Sequence, residues 1–191
     1  MSAVAGEDGV RRCTWAYGAP EYIAYHDDEW GRAVRGDDAV FERMVLEAFQ
    51  SGLSWITILR KRTAFRAAFA NFSIDAVAQF TEADVERLMS DAGIVRNRAK
   101  ITACVANARA AQELPEGLSE LIWSFAPTGR RRAPQQNADV PAVSTQSTAM
   151  ATELKRLGFR FIGPTTAYAH MQATGMVNDH LASCHARKLC P

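Results

Sequence analysis

The sequence predicts an all-α fold for this chain of 191 residues. Apolar residues recur at helical spacing along most of its length, and the alternation that is typical of a half-buried strand persists nowhere. Proline and glycine divide these periodic segments into lengths that suit helices. The chain is long enough for a sizeable core. We expect a flexible tail over residues 1–10 and, over residues 11–191, a single helical domain of two lobes around a cleft.

Composition favours a soluble globular protein. Hydrophobic residues make up 48% of the chain and charged residues 23%, and the formal net charge is +1, so any charged partner has to be recognised by local patches. The four cysteines form no Cys-x-x-Cys pair and do not resemble a secreted disulfide framework. Because the chain also lacks a signal peptide and any segment as long as a membrane span, we expect a cytoplasmic protein.

The first two long helices are predicted on either side of Gly52. Asp37 and Asp38 can cap the first of them. Its apolar face comprises Phe41, Met44, Val45 and Ala48. The apolar residues that follow Gly52 are Leu53, Trp55, Ile56 and Leu59. We therefore predict a helix, a turn at Gly52 and a second helix.

Four further helices are predicted along the rest of the chain. Thr81 and Asp84 resemble a capping box at the start of one, and another runs from about Arg96 to Ala111. Next comes a long irregular stretch, which we interpret as a loop. It contains Pro127, Gly129, Arg130, Arg131, Arg132, Pro134, Gln135 and Pro141. A helix ending near Gly158 follows, and Pro164 suits the first turn of the last helix.

Two Cys/His couples at the ends of the chain form a plausible set of four metal ligands. His180 and Cys184 have i, i+4 spacing, so on a helix they would share one face. Cys13 and His26 could reach the same ion from the N-terminal segment. Two cysteines and two histidines form a closed tetrahedral zinc site in many proteins. The alternative is two unrelated cysteines and two surface histidines, since the couples lie far apart in sequence.

A turn between two predicted helices, at residues 91–95, is followed by three cations. Gly93 can adopt a positive φ there, and the N–H groups that open the next helix can bind a phosphate. The cations are Arg96, Arg98 and Lys100. Such a unit holds a DNA backbone without reading its sequence. The alternative is an ordinary corner between helices with solvated cations.

Aromatic residues and one carboxylate form a third group. The aromatic residues near His26 are Trp15, Tyr17, Tyr22, Tyr25 and Trp30, and Trp55 follows Gly52. Rings of this kind stack on a flat cationic heterocycle, and Glu47 could accept hydrogen bonds from its exocyclic amine. Periodicity places Glu47 only at the border of an apolar face. The alternatives are a surface glutamate paired with Arg43 and rings that pack in the core.

These motifs resemble those of the DNA-3-methyladenine glycosylase I family. The segments are YIAYHDDEWG at 22–31, GLSWIT at 52–57, DAGI at 91–94, WSF at 123–125 and VNDH at 177–180. The resemblance covers residues 13–184. It implies a helix-hairpin-helix DNA glycosylase fold whose N- and C-terminal segments are joined by a structural zinc ion. It also implies a monofunctional base-excision repair enzyme that flips 3-methyladenine out of alkylated double-stranded DNA and excises it hydrolytically.

The resemblance also assigns residues and partners. Its zinc ligands are Cys13, His26, His180 and Cys184, and its base-binding residues are Glu47, Tyr25, Trp55, Trp15, Tyr22 and Trp30. Glu47 and Tyr25 are the catalytic candidates. The resemblance also implies that the chain lacks the catalytic aspartate that related glycosylases place after the hairpin. The expected partners are alkylated DNA and free 3-methyladenine as product, with no membrane, and the chain is expected to act as a monomer.

The DNA-binding candidates are Leu53, Gly93, Arg96, Arg98 and Lys100. An apolar wedge at the Gly52 turn would offset part of the cost of unstacking a base. The alternative is that Leu53 belongs to the core.

Two departures from the family pattern bear on these roles. Ala48 and Phe49 stand where small or amide residues are expected, and Ala99 stands where a glycine often precedes the lysine. His185 and Cys190 lie near enough to the metal ligands to replace one of them. Two other classes stay open. A non-enzymatic DNA-binding module would have no use for Glu47 among rings, and a zinc hydrolase would need an open coordination position.

Overall fold

The structure is a computed structural model that describes residues 2–129 and 132–190. Over these ranges it is predominantly helical, as the sequence predicts. Its helices are α1 (Pro20–Asp28), α2 (Asp37–Gln50), α3 (Trp55–Ala68), α4 (Ile74–Ala78), α5 (Glu82–Ser90), α6 (Arg98–Gln112), α7 (Leu118–Trp123), α8 (Thr145–Arg156) and α9 (Pro164–Ala173). Two short strands, β1 (Val4–Ala5) and β2 (Arg11–Arg12), pair antiparallel. Arg130 and Arg131 of the predicted loop lie outside the described residues.

The segment expected to be a flexible tail is folded against the chain from β1 onward. Val4 pairs with Arg12, and Ala3 is buried in a small hydrophobic cluster with Leu181 and Ala186. The Arg11 guanidinium donates to the carbonyl of Ala3 at 2.6 Å. The two ends of the chain therefore meet around this cluster.

The main core is built around α2, which packs against α3, α6, α7 and α9. The predicted apolar face of α2 is entirely buried, as are four phenylalanines whose rings contact one another in sequence. These are Phe49, Phe65, Phe69 and Phe72. Burial of such large rings supplies much of the driving force for folding. In this arrangement α2 and α9 lie side by side, and each contributes residues to the wall of a cavity.

Helix ends agree with the sequence prediction at α5 and α9 and differ at α2. The capping box of Thr81 and Asp84 is present, and Pro164 opens α9. Asp37 and Asp38 do not cap α2, whose N-cap is Gly36. Their Oδ1 atoms instead accept the backbone N–H groups of Ser119 and Ile74, both at 2.8 Å. Because those N–H groups open α7 and α4, the two aspartates fasten neighbouring helices to the start of α2.

The turn between α5 and α6 contains Gly93 for a different reason from the one predicted. Gly93 does not have a positive φ. A Cβ there would lie 2.9 Å from Asp91 Oδ1 and 3.0 Å from Ala64 Cβ. Asp91 Oδ1 also accepts the Gly93 N–H at 2.7 Å. Close packing, rather than backbone conformation, therefore requires glycine at this position.

Within the part of the chain described, none of the helices combines the length and the apolar character needed to cross a bilayer.

Candidate functional site

A cavity of about 240 Å³ lies among α1, α2, α3 and α9. All six residues predicted to bind a base line it: Trp15, Tyr22, Tyr25, Trp30, Glu47 and Trp55. Pockets for drug-sized ligands usually measure about 300–1,000 Å³. This cavity is smaller, so its size suits a single heterocycle.

The aromatic rings of the cavity contact one another in tilted and edge-to-face arrangements. The centroids of Tyr25 and Trp55 are 5.4 Å apart, with their planes at 44°. Trp15 makes edge contacts with Tyr22 at 5.8 Å and with Trp30 at 5.1 Å. Burial raises the pKa of the Tyr25 phenol well above its usual range, so the hydroxyl keeps its proton. The cavity therefore offers fixed aromatic faces and a neutral hydroxyl group.

Glu47 is the carboxylate of the cavity, and it is only 6% exposed. Loss of solvent raises its pKa to about 8, although the Arg43 charge opposes this shift. The alternative of a Glu47–Arg43 ion pair is not observed, because Arg43 Nη2 binds Glu29 at 2.9 Å. Arg62 binds the same Glu29 carboxylate at 2.6 Å. No described residue hydrogen-bonds Glu47, so its carboxyl group is available to a ligand.

Sequence reasoning missed three residues of the cavity, Gln50, Ala169 and Gln172. Gln50 lies one turn after Glu47 on α2, so the i, i+3 spacing was a signal that could have identified it. Gln172 is oriented by Asp179, whose Oδ2 accepts its side-chain amide at 3.0 Å. No local pattern in the sequence marks the two α9 residues, since they reach the cavity only because α9 packs on α2.

The residues after Glu47 that depart from the family pattern do not form the cavity wall. Phe49 is buried in the core, where its ring lies edge to face with Phe65 at 4.8 Å. Ala48 is also buried in this core. Neither residue lines the cavity, and the Phe49 ring packs against α3. The departure therefore affects core packing rather than the surface that a ligand would contact.

The four predicted metal ligands meet as one buried group. The ligand atoms of Cys13, His26, His180 and Cys184 all lie within 4.8 Å of one another. Cys184 Sγ is 3.4 Å from His26 Nε2 and 3.6 Å from His180 Nδ1, and Cys13 Sγ is 3.8 Å from His180 Nδ1. Tetrahedral zinc with bonds of about 2.0–2.3 Å would separate its S and N ligands by roughly 3.5 Å. The donor set therefore fits such an ion.

The second nitrogen of each of the two predicted ligand histidines lies beside an oxygen acceptor. His26 Nδ1 lies 2.7 Å from Asp27 Oδ1, and His180 Nε2 lies 3.1 Å from the carbonyl of Trp30. Partners of this kind hold a ligating imidazole in one tautomer and one orientation. Both rings thus turn their other nitrogen toward the sulfur atoms, and His26 Nε2 also accepts the Cys13 N–H at 3.4 Å.

The helical spacing predicted for His180 and Cys184 is wrong, although the two side chains do meet. Neither residue lies on an α-helix. A turn closed by the Cys184 N–H and the carbonyl of Leu181, at 2.8 Å, brings them together. His185 lies outside the four-ligand group, with its Nε2 atom 2.8 Å from Asp27 Oδ1. Cys190 Sγ lies 3.9 Å from the carbonyl of Trp30.

Leu53 lies on the turn between α2 and α3 and is 42% exposed, so it is not a core residue. Gly52 has a φ of +82°, which a glycine adopts without strain. The Leu53 N–H closes the turn on the carbonyl of Gln50 at 2.6 Å. The turn therefore presents an apolar side chain to solvent beside the cavity.

The three hairpin cations have different surroundings. Arg96 is exposed and pairs with no described residue, whereas Arg98 binds Glu82 at 2.7 Å and Glu86 at 2.6 Å. Lys100 departs from the expected phosphate contact, since it is 8% exposed. Its Nζ donates to two main-chain carbonyl groups at the end of α2. Packing of α6 against α2 turns this side chain inward.

Comparisons with known proteins agree on one family. Residues 15–188 match the family model described as methyladenine glycosylase. The chain is 43% identical over 183 residues to DNA-3-methyladenine glycosylase 1 of Escherichia coli (strain K12), covering 92% of this chain and 96% of the relative. It is 41% identical over 179 residues to DNA-3-methyladenine glycosylase of Haemophilus influenzae, covering 91% and 96%. A variant of 3-methyladenine DNA glycosylase I, solved in complex with 3-methyladenine, is 32% identical with a TM-score of 0.87 and coverages of 92% and 97%.

Proposed function

This chain belongs to the methyladenine glycosylase family, and we therefore propose that it excises 3-methyladenine from alkylated double-stranded DNA in base-excision repair. The bond broken is the N-glycosyl bond, and water is the other reactant. The observation that carries the proposal is the unpaired, buried Glu47 among the aromatic rings of the cavity. The fold that we propose is that of the helix-hairpin-helix glycosylases, with α5 and α6 as the hairpin.

The chemistry suits a site that mainly extracts and holds a base. Methylation at N3 places a positive charge on adenine and weakens the glycosidic bond, so protonation of the leaving base is not required. Tyr25 and Trp55 provide faces that attract a flat cation. Glu47 accepts hydrogen bonds from the amino edge of the base and balances its charge. Adenine without the methyl group carries no charge, and for that reason it gains less from both interactions.

A release assay tests this function directly. The purified protein is incubated with methylated duplex DNA, and the bases that appear in solution are identified. We expect 3-methyladenine to appear, while normal adenine stays in the duplex. A DNA-binding module without enzymatic activity would bind the same DNA and release no base.

We further propose that Cys13, His26, His180 and Cys184 hold a structural zinc ion. When bound, the ion crosslinks the two ends of the chain. The two thiolates and two imidazoles complete a tetrahedral set, so no position is left for a substrate. This closed ligand set argues against a zinc hydrolase.

We propose that Leu53 enters the DNA stack beside the extruded nucleotide, while the hairpin, through Gly93, Arg96 and Arg98, holds the backbone. Leu53→Ala should weaken binding to an abasic-site duplex by about tenfold, because a wedge that offsets unstacking is lost. The melting temperature should stay nearly constant, since the side chain is exposed. Leu189→Ala, a change at another exposed leucine, is the matched control and should alter neither quantity. A large loss of stability in Leu53→Ala would contradict the proposed role.

Activity should depend on the ionisation of Glu47. Its pKa of about 8 means that the free protein holds a proton there at neutral pH, while the cationic base binds the carboxylate. The value of kcat/KM reports ionisations of the free enzyme. It should therefore rise with pH up to about 8 and then level off. Base release measured at subsaturating DNA in a pH series would show this rise, and it should be absent from Glu47→Gln. A flat profile for the unaltered protein would contradict the assignment.

A further inference from the structure

Lys100 completes the hydrogen bonding of the turn that carries Leu53. Its Nζ donates to the carbonyl of Phe49 at 2.8 Å and to that of Ser51 at 2.5 Å. The two neighbouring carbonyls are paired within the chain segment itself, since Ala48 O accepts from Ser51 N and Gln50 O accepts from Leu53 N. The last carbonyls of a helix have no partner inside the helix. Four consecutive carbonyls are thus paired here, two of them by a single lysine.

The same residue belongs to the first turn of the helix that follows the hairpin. Asn97 caps α6 by accepting the Lys100 N–H at 3.1 Å. Burial lowers the pKa of the Lys100 amine, but the amine lies at the C-terminal end of α2, where the helix dipole favours a cation. One side chain therefore spans the hairpin and the turn.

A second lysine makes the reciprocal connection. Lys61, on the helix that begins immediately after the turn, donates its Nζ to the carbonyls of Ala92 and Gly93 at 2.8 and 3.2 Å. Lys61 therefore joins α3, the helix that follows the Leu53 turn, to the hairpin. Among the residues that the structure describes, no carboxylate binds either amine, and both amines donate to main-chain oxygens.

We propose that Lys100 is a positioning residue, which couples the grip of the hairpin on the DNA backbone to the placement of the Leu53 turn. This inference rests on the proposed function, in which Leu53 enters the DNA stack. Gly52 alone would leave the turn free to move, because glycine accepts many backbone conformations. With Lys100 in place, the turn holds a fixed position relative to the α6 N-terminus. Backbone contact by the hairpin would then also set the position of Leu53.

A double-mutant cycle between Lys100→Met and Leu53→Ala tests the coupling. Methionine keeps the apolar stem and removes the ammonium group. Binding of the full-length chain to an abasic-site duplex is measured for both single variants and for the double variant. If Lys100 acts through Leu53, Lys100→Met weakens binding by about tenfold alone and by less than about twofold in the Leu53→Ala background.

Salt dependence provides the readout that separates positioning from a phosphate contact. Lys100→Met should leave the slope of log K against log salt unchanged, because no phosphate contact is lost. Arg96→Gln, at an exposed hairpin cation, is the control. It should reduce that slope by about one and weaken binding equally in both backgrounds.

Several results would overturn the inference. One is that Lys100→Met weakens binding equally in the wild-type and Leu53→Ala backgrounds. With a reduced salt slope, that result would identify Lys100 as a phosphate contact. With an unchanged salt slope, it would identify a purely structural role. If Leu53→Ala alone binds the duplex as tightly as the wild type, Leu53 is not a wedge and the inference is wrong. The proposed excision of 3-methyladenine is tested separately by the release assay and would not be contradicted by this result. If Lys100→Met does not fold, Lys61→Met tests the same coupling from the opposite side and should give the same pattern.

Discussion

Replacing Glu47 with glutamine is expected to lower the affinity for free 3-methyladenine by about ten- to a hundredfold. A charge-assisted hydrogen bond is worth roughly 1.5–3 kcal/mol, and glutamine keeps the shape of the side chain without its negative charge. The carboxyl group is almost fully buried and has no described partner, so solvent screens its interaction with the base only weakly. Titration with the free base, followed by tryptophan fluorescence or NMR, measures the loss.

One control variant and a second cavity variant make this result specific. Glu42→Gln removes the same charge from α2, but Glu42 binds Arg66 at 2.7 Å outside the cavity, so base affinity should not change. Trp55→Ala should lose an amount comparable with Glu47→Gln, through stacking. Neither cavity variant should much disturb non-specific DNA binding. Wild-type affinity in Glu47→Gln would place the base site elsewhere.

Glu47→Gln should also change stability in a direction that is opposite to its effect on binding. The pKa of Glu47 is raised from 4.5 to about 8, so the folded state favours the protonated form. The stabilisation from this group is fully present below about pH 4.5 and is lost as the pH rises through about 8. The glutamine variant should therefore melt at a higher temperature than the wild type at about pH 9.

Cys184→Ser is expected to lower the melting temperature by on the order of 10 °C. Binding of structural zinc stabilises folded zinc-finger peptides by roughly 10–16 kcal/mol, and loss of one ligand removes part of that stabilisation. The ion would join residue 13 to residue 184, so its loss should loosen both ends of the chain. Differential scanning calorimetry with and without a chelator, together with atomic absorption, measures this effect. Base affinity at low temperature should change little.

Cys190→Ser is the matched control for the metal site. Cys190 lies beside the four-ligand group but does not belong to it. The control should keep both the metal and the melting temperature. Freshly purified wild-type protein without metal, or a Cys184→Ser variant that melts like the wild type, would contradict the zinc proposal. Loss of metal from Cys190→Ser would identify Cys190 as a ligand.

Local rules predicted the helical architecture because they depend on near neighbours. The capping box at Thr81 and the proline at the start of α9 were both predicted and are present. The same kind of rule failed for Asp37 and Asp38, since their carboxylates bond to the N–H groups of distant helices. A residue type that caps helices can cap any helix that packs against it. Sequence spacing does not say which one.

The sequence by itself predicted the all-α class, the helices α2, α3, α5, α6, α8 and α9, the four Cys/His positions and the residue types of the cavity. It did not predict α1, α4 or α7. Only the tertiary structure decided that Glu47 is buried without a partner among the described residues, that Gln50 and Gln172 join it, and that Lys100 binds carbonyl oxygens rather than facing solvent. The physical reason is that burial and partner choice depend on which helix faces are brought into contact. Contacts between α2, α6 and α9 join residues that are far apart in the chain, and no local pattern encodes them.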